Sequence, residues 1–244
     1  MTKKNRFPDD IFKEYTQDVQ NIFQDSLVSI VLYGSGARGD YHHKISDINI
    51  LIVVTPEGMD KLSDSFSFVK KWSKKRNVSV PLFLTREYIQ TSLDVFPIEF
   101  LNLKQWNKII YGQDVLSDLD ISDSDLRLKC EEQIKSKLLH LREGFLQTLG
   151  KKRRIERLMT ETVPTLASIF TGLLILKKET VPESKMDIYK RVAHVFQLDE
   201  TVFQQVIDVR QTLKKLSKDE CISLLNNYIK EVEKLTNIVD MWQN

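Results

Sequence analysis

The sequence predicts a two-part chain: an α/β half with a mixed β-sheet, followed by an all-α helical bundle. Three observations predict it. Short apolar runs of strand character, VSIVLY (28–33) and the run from Asp47 to Val54, alternate with amphipathic helical stretches in the first half. From Ser122 onward the apolar residues recur at helical spacing. A chain of 244 residues is long enough for one large core or two modest ones, and its texture changes once. That change places the boundaries at 1–121 and 122–244.

The elements follow in order. Pro8, Asp9 and Asp10 make a helix start, and Ile11, Phe12, Tyr15, Val19, Ile22 and Phe23 continue it at helical spacing. The strand 28–33 ends in glycines. In the second strand, Ile48, Ile50, Leu51, Ile52, Val53 and Val54 suggest burial on both faces. Thr55-Pro56-Glu57-Gly58 reads as a turn into one helix carrying Met59, Leu62, Phe66, Val69 and Trp72. Val78 to Leu84 reads as a third strand, followed by a short helix around Tyr88 and Ile89. Phe96 to Leu103 reads as a fourth strand, with Pro97 at an edge or a strand start.

Beyond it, Ser122 and Asp125 resemble a capping box. Leu126, Cys130, Ile134, Leu138, Leu141, Phe145 and Leu149 form one apolar stripe, closed by Gly150. A second long helix is expected over 153–178, kinked at Pro164, and further helices over 184–196, 201–215 and 218–242.

Composition excludes several classes. A net charge of +2 gives no global basic field for nucleic acid and no acidic tail. Cys130 and Cys221 cannot build a disulfide framework. The N-terminus MTKKNRFPDD lacks the apolar core of a signal peptide, and the apolar stretch Ile169 to Leu176 reads as too short for a bilayer. A cytoplasmic protein without a membrane partner is the expectation.

The chemistry gathers at GSGARGD (34–40). Its G-x-G-x-x-G fits a dinucleotide turn only if a helix of several turns follows Gly39 and an acid ends the next strand. Only Asp40 to Ile45 intervene, and Val53 and Val54 stand near the acid's place. A P-loop fails too, because Asp40 stands where lysine must reach the phosphates. A third arrangement fits. Residues 36–46 separate Gly34-Ser35 from Asp47-Ile48-Asn49, and strand alternation puts Asp47 and Asn49 on one face. Two oxygen ligands facing a Gly-Ser turn suit a Mg²⁺-nucleotide site.

The stretch GSGARGDYHHKISDINI resembles the signature of the DNA polymerase β-like nucleotidyltransferase superfamily, G-S followed by D-x-D. Its Ala-Arg-Gly and Ser-Asp elements are similar to the minimal bacterial and aminoglycoside nucleotidyltransferases. FPIEFLNLKQWNKIIYGQD (96–114) and LRLKCEEQIKSKLLHLREGFL (126–146) resemble bacterial nucleotidyltransferase-domain proteins with a C-terminal helical domain. The resemblance implies a nucleotidyltransferase fold and metal-dependent transfer of a nucleoside monophosphate from a nucleoside triphosphate to a hydroxyl of a small molecule or protein. It implies Mg²⁺ or Mn²⁺ at Asp47 and Asn49, nucleotide contacts from Gly34, Ser35, Arg38 and Ser46, and a third acid, for which Glu99 is the candidate. The helical half would then form the opposite wall of the cleft and choose the acceptor.

The sequence departs from that pattern at Asn49, where the superfamily has its second strand carboxylate. Losing a charge beside a divalent ion weakens its binding. Several residues keep more than one reading. Arg38 contacts phosphate or pairs with Asp40 or Asp47; Ser46 supports Asp47 or only starts the strand; Glu99 activates the acceptor, caps a helix or pairs with a lysine. His42 and His43 read as exposed loop residues, and Lys151 to Arg154 as a solvated helix start. The competing functions are a catalytically degenerate nucleotide-binding or protein-interaction module and an antitoxin-like component. The acceptor, the base and the oligomeric state, a homodimer included, stay open.

Overall fold

The computed structural model describes residues 11–38, 47–75, 78–211 and 215–242. The expected helix start at Pro8 to Asp10 and the loop residues Asp40, His42, His43 and Ser46 lie outside these. The chain divides into two compact units, Met1–Ile121 and Ser122–Asn244.

The first unit is built on a four-stranded mixed sheet in the order β3-β2-β1-β4. β1 (Leu27–Tyr33) pairs antiparallel with β2 (Asn49–Val54) and with β4 (Asn107–Gly112), while β2 runs parallel to β3 (Leu82–Leu84). The antiparallel β1–β2 pair excludes the parallel dinucleotide-binding arrangement. One sheet face carries Ile30, Leu32, Ile48, Ile50, Ile52 and Val54 against α1 (Ile11–Phe23) and α4 (Phe66–Lys75). The other carries Val31, Leu51 and Val53 against Leu84, Ile89, Phe100, Leu103, Leu116 and Leu119. β2 is therefore buried on both sides, which is why it has no polar residue after Asn49.

Three expectations change. Phe96 to Leu103 is not a strand: Pro97 opens the helix α6 (Pro97–Gln105), where its missing N–H costs nothing. The fourth strand follows it as Asn107–Gly112. The single helix expected after Gly58 is broken into α3 (Pro56–Met59), a 3₁₀ turn (Leu62–Ser65) and α4. The third strand is short, since Val78 makes only an isolated bridge to Ile48 and Pro81 has no N–H for a ladder. A fifth helix, α5 (Arg86–Thr91), follows β3 as expected, with Thr85 accepting at its N-cap.

The second unit contains five helices among the described residues: α7 (Asp123–Thr148), α8 (Lys152–Leu176), α9 (Lys185–Val195), α10 (Glu200–Arg210) and α11 (Lys218–Asp240). Ser122 caps α7 by accepting from the Asp125 N–H, and Ser217 with Glu220 forms a full capping box on α11. The α7 stripe is buried from Leu126 to Leu141, but Leu149 is left exposed where the helix closes through a left-handed residue. α8 is long and apolar enough to cross a membrane, contrary to the estimate from Ile169–Leu176 alone. Most of its apolar window is buried inside the fold, the behaviour of a core helix. Phe170, Tyr189, Phe203 and Tyr228 pack edge to face at its centre.

Candidate functional site

β1 ends at Tyr33, and Gly34 turns the chain with φ of +72°, a conformation that penalises any side chain. A Cβ there would also lie 3.3 Å from Asn49 Nδ2, a tight contact that the amide could relieve only by shifting. A single helical turn, α2 (Ser35–Arg38), follows, closed by the Arg38 N–H donating to the Gly34 carbonyl at 3.0 Å. Across the ladder Tyr33 pairs with Asn49, the first residue of β2, and on its other side with Asn107. Asn49 is half-buried and Asp47, just before the strand, is exposed. The Gly34-Ser35 turn, Asn49 and Asp47 thus share one end of the sheet. Burial pushes the Tyr33 phenol above its ordinary pKa, so this neighbour stays uncharged near neutral pH.

Two residues that the sequence did not single out complete this end. The bridge Ile48–Val78 and the bond from the Ser79 N–H to the Ile48 carbonyl bring Ser79 beside Asn49. The Ser79 hydroxyl donates to Asn49 Oδ1 at 3.1 Å. Trp106, between α6 and β4, lies under Arg38, whose guanidinium sits 4.4 Å from the indole centroid. A polar residue inside the apolar segment Val78–Val80 was the available signal for Ser79. No local pattern marks Trp106, since its partner lies far away in sequence.

Glu99 stands on the first turn of α6, with its side chain exposed, rather than on a strand of the sheet. Cys130 and Cys221 are free and buried, Cys221 with its thiol pushed up by burial and by Glu156. Lys135 and Arg142 are engaged in ion pairs, with Glu131 and Asp240 and with Glu233. Lys152 pairs with Glu156 along its own helix.

The donor set does not fit the paired-carboxylate, two-ion arrangement that the sequence motif implies. Asp47 supplies a charge, but Asn49 is neutral and its oxygen accepts from Ser79. Among the described residues no group of three His, Cys, Asp or Glu is arranged to hold a metal ion.

Comparison with known proteins gives the family of the domain that carries this strand end. The family described as "Nucleotidyltransferase domain" matches residues 13–107, the span from α1 through the sheet to Asn107. A protein of Methanocaldococcus jannaschii, described as a candidate protein adenylyltransferase, is 33% identical over 86 residues, which are 34% of this chain and 84% of that protein. The chain belongs to the nucleotidyltransferase family. Beyond the matched domain, the fold is shared with the spectinomycin adenyltransferase of Enterococcus faecialis, solved with ATP and spectinomycin. That structure covers 89% of this chain and 99% of its own, with a TM-score of 0.51 and 15% identity. The superfamily is thus the DNA polymerase β-like one, and the fold is the nucleotidyltransferase fold followed by helices.

Proposed function

We propose that the N-terminal unit binds a nucleoside triphosphate at the turn after β1 and passes its nucleoside monophosphate to a hydroxyl of a small molecule or a protein. The hydroxyl oxygen bonds to the α-phosphorus, the α–β anhydride bond breaks, pyrophosphate leaves, and the hydroxyl proton passes to solvent water. The observation that carries this reading is the meeting of the Gly34-Ser35 turn with Asp47 and Asn49 at one strand end. Gly34, the Ser35 hydroxyl and Arg38 hold phosphate oxygens; Ser46 belongs to the same segment by sequence. Asp47 supplies the carboxylate of the site. ATP is the first nucleotide to test, because both relatives are described by adenylyl or adenyl transfer.

A second reading has an observation of its own. The Asn49–Ser79 hydrogen bond puts a neutral pair where the family pattern has acids, which favours a module that binds a nucleotide without transferring it.

Calorimetric titration of ATP, GTP, CTP and UTP, with Mg²⁺, with Mn²⁺ and with chelator, tests the binding. Ser35→Ala should weaken it by about 1–2 kcal/mol through one lost hydrogen bond to a charged group. Unchanged affinity in that variant would make the turn structural only. Label transfer from α-phosphate-labelled ATP then separates the two readings: label on an acceptor supports transfer, and binding without any pyrophosphate release supports the module.

A further inference from the structure

We propose that Asn49 is a phosphate-binding donor, fixed in that role by Ser79, and not a metal ligand. The inference rests on the reading that the turn after β1 holds a nucleotide, and it says how the nucleotide is held.

A carboxamide is useful to a cation only through its oxygen and to an anion only through its NH₂. Which end faces the ligand is decided here by the segment that leads into β3. Ser79, held by its backbone bond to Ile48, donates its hydroxyl to Asn49 Oδ1 at 3.1 Å. With the oxygen so engaged, Nδ2 is the end left toward the turn, and it lies 3.3 Å from where a Cβ on Gly34 would stand. Gly34 thus has no side chain between the amide and the turn that carries Ser35. The two N–H groups then extend the set of donors that Ser35 and Arg38 present to the same anion.

A carboxylate at this position could not donate at all, and without an intervening cation it would repel a triphosphate. The substitution of an amide for the family's second acid therefore exchanges one means of holding phosphate for another. Where the family pattern would hold a divalent ion on two carboxylates, this chain presents amide donors to the phosphate instead. Asp47 still presents one carboxylate at this end, so the amide, Ser35 and Arg38 donors face one negative charge rather than two, and the ligand class is a nucleoside di- or triphosphate whose binding does not need a divalent ion.

The test is calorimetric binding of ATP, ADP and AMP to the full chain, in EDTA and in Mg²⁺. Wild type should bind ATP in EDTA nearly as well as in Mg²⁺, with affinity falling as phosphates are removed. Ser79→Ala frees the amide to turn its oxygen to the ligand and should lose about tenfold in EDTA, the size expected for one hydrogen bond to a charged group. Asn49→Asp should lose binding in EDTA and recover it in Mg²⁺. Melting curves establish that both variants fold; if Asn49→Asp does not, wild type and Ser79→Ala still decide. Wild-type binding that requires Mg²⁺, or Ser79→Ala unchanged in EDTA, overturns the proposal while leaving a nucleotide site in place. Failure of wild type to bind ATP in either buffer overturns the nucleotide reading itself, and the inference with it.

Discussion

The two units use their polar side chains in opposite ways. At the sheet end of the first unit, Ser35, Arg38, Asp47 and Asn49 are partly or fully exposed and lie around a turn made possible by a left-handed glycine. In the second unit the central polar groups are spent inside the fold. Thr162 and Tyr228 share a hydrogen bond at 3.1 Å, Tyr189 donates to the Val163 carbonyl at 3.0 Å, and Thr171 donates to the Ala167 carbonyl. Tyr228 is pushed up to about 12 by burial, as expected of a phenol kept neutral in a core. Polar groups in the bundle should thus control stability, and those at the strand end should control binding.

The largest effect should break the sheet and leave the bundle. Gly112 ends β4 with φ of +81°, and a Cβ there would stand 2.1 Å from the Val28 carbonyl oxygen. No side-chain adjustment relieves a clash with backbone. Gly112→Ala should cost more than about 3 kcal/mol, combining overpacking with left-handed strain. In thermal melts followed by circular dichroism, the first unit should lose its transition while α7–α11 keep their helical signal. A wild-type-like melt would mean that β4 can shift away from β1 at little cost.

A smaller effect should appear in the bundle alone. Pro164 lies inside α8, which nevertheless continues as one helix. Its missing N–H would leave the Thr160 carbonyl without its usual partner. The Arg210 guanidinium of α10 donates to that carbonyl instead. Arg210→Met, which keeps an apolar stem, should destabilise the chain by about 1 kcal/mol. Pro164→Ala restores the N–H, so the same change should cost clearly less in that background. Equal costs in both backgrounds would show that Arg210 acts elsewhere. Nucleotide affinity should be unchanged throughout this cycle.

The same contrast explains what was legible in the sequence. Helical spacing from Leu126 to Leu141 and the cap at Ser122 are local signals, and the first helix of the bundle follows them closely. The polarity switch at Asn49 and the glycine turn are local too, and they mark the strand end. Residues 96–103 misled because Ile98, Phe100, Leu101 and Leu103 are all buried, so the apolar run carries neither period clearly. Pro97 was the better guide, as a helix N1 residue. The roles of Ser79 and Trp106 were hidden for another reason: Ser79 is marked only as a polar residue in an apolar segment, and each acquires its role from a partner on a different element, Asn49 at a separation of 30 residues in the case of Ser79. Such pairs are set by strand order, and strand order is not written in any short window.

The smallest effect concerns that second pair and sharpens the contrast most. Trp106 keeps an indole N–H that is buried with no hydrogen-bond partner, an arrangement that costs stability. Replacing it by Leu removes the orphan donor along with the ring, so the two consequences for folding oppose each other. A residue chosen for stability alone would not carry that cost. What the ring provides is a shelf 4.4 Å beneath the Arg38 guanidinium, and a cation over an indole face is worth about 0.5–1 kcal/mol at a partly exposed site. Trp106→Leu should therefore leave the melting temperature nearly unchanged while weakening ATP by about three- to fivefold, the same energy read as affinity. Arg38→Lys should behave alike, since it keeps the charge but gives up the planar stacking. The two changes combined should cost no more than Arg38→Lys alone, because both remove one interaction. Additive losses would mean that Trp106 meets the nucleotide itself rather than holding Arg38. A lowered melting temperature with unchanged affinity would move Trp106 to the structural side and leave Arg38 positioned by other contacts.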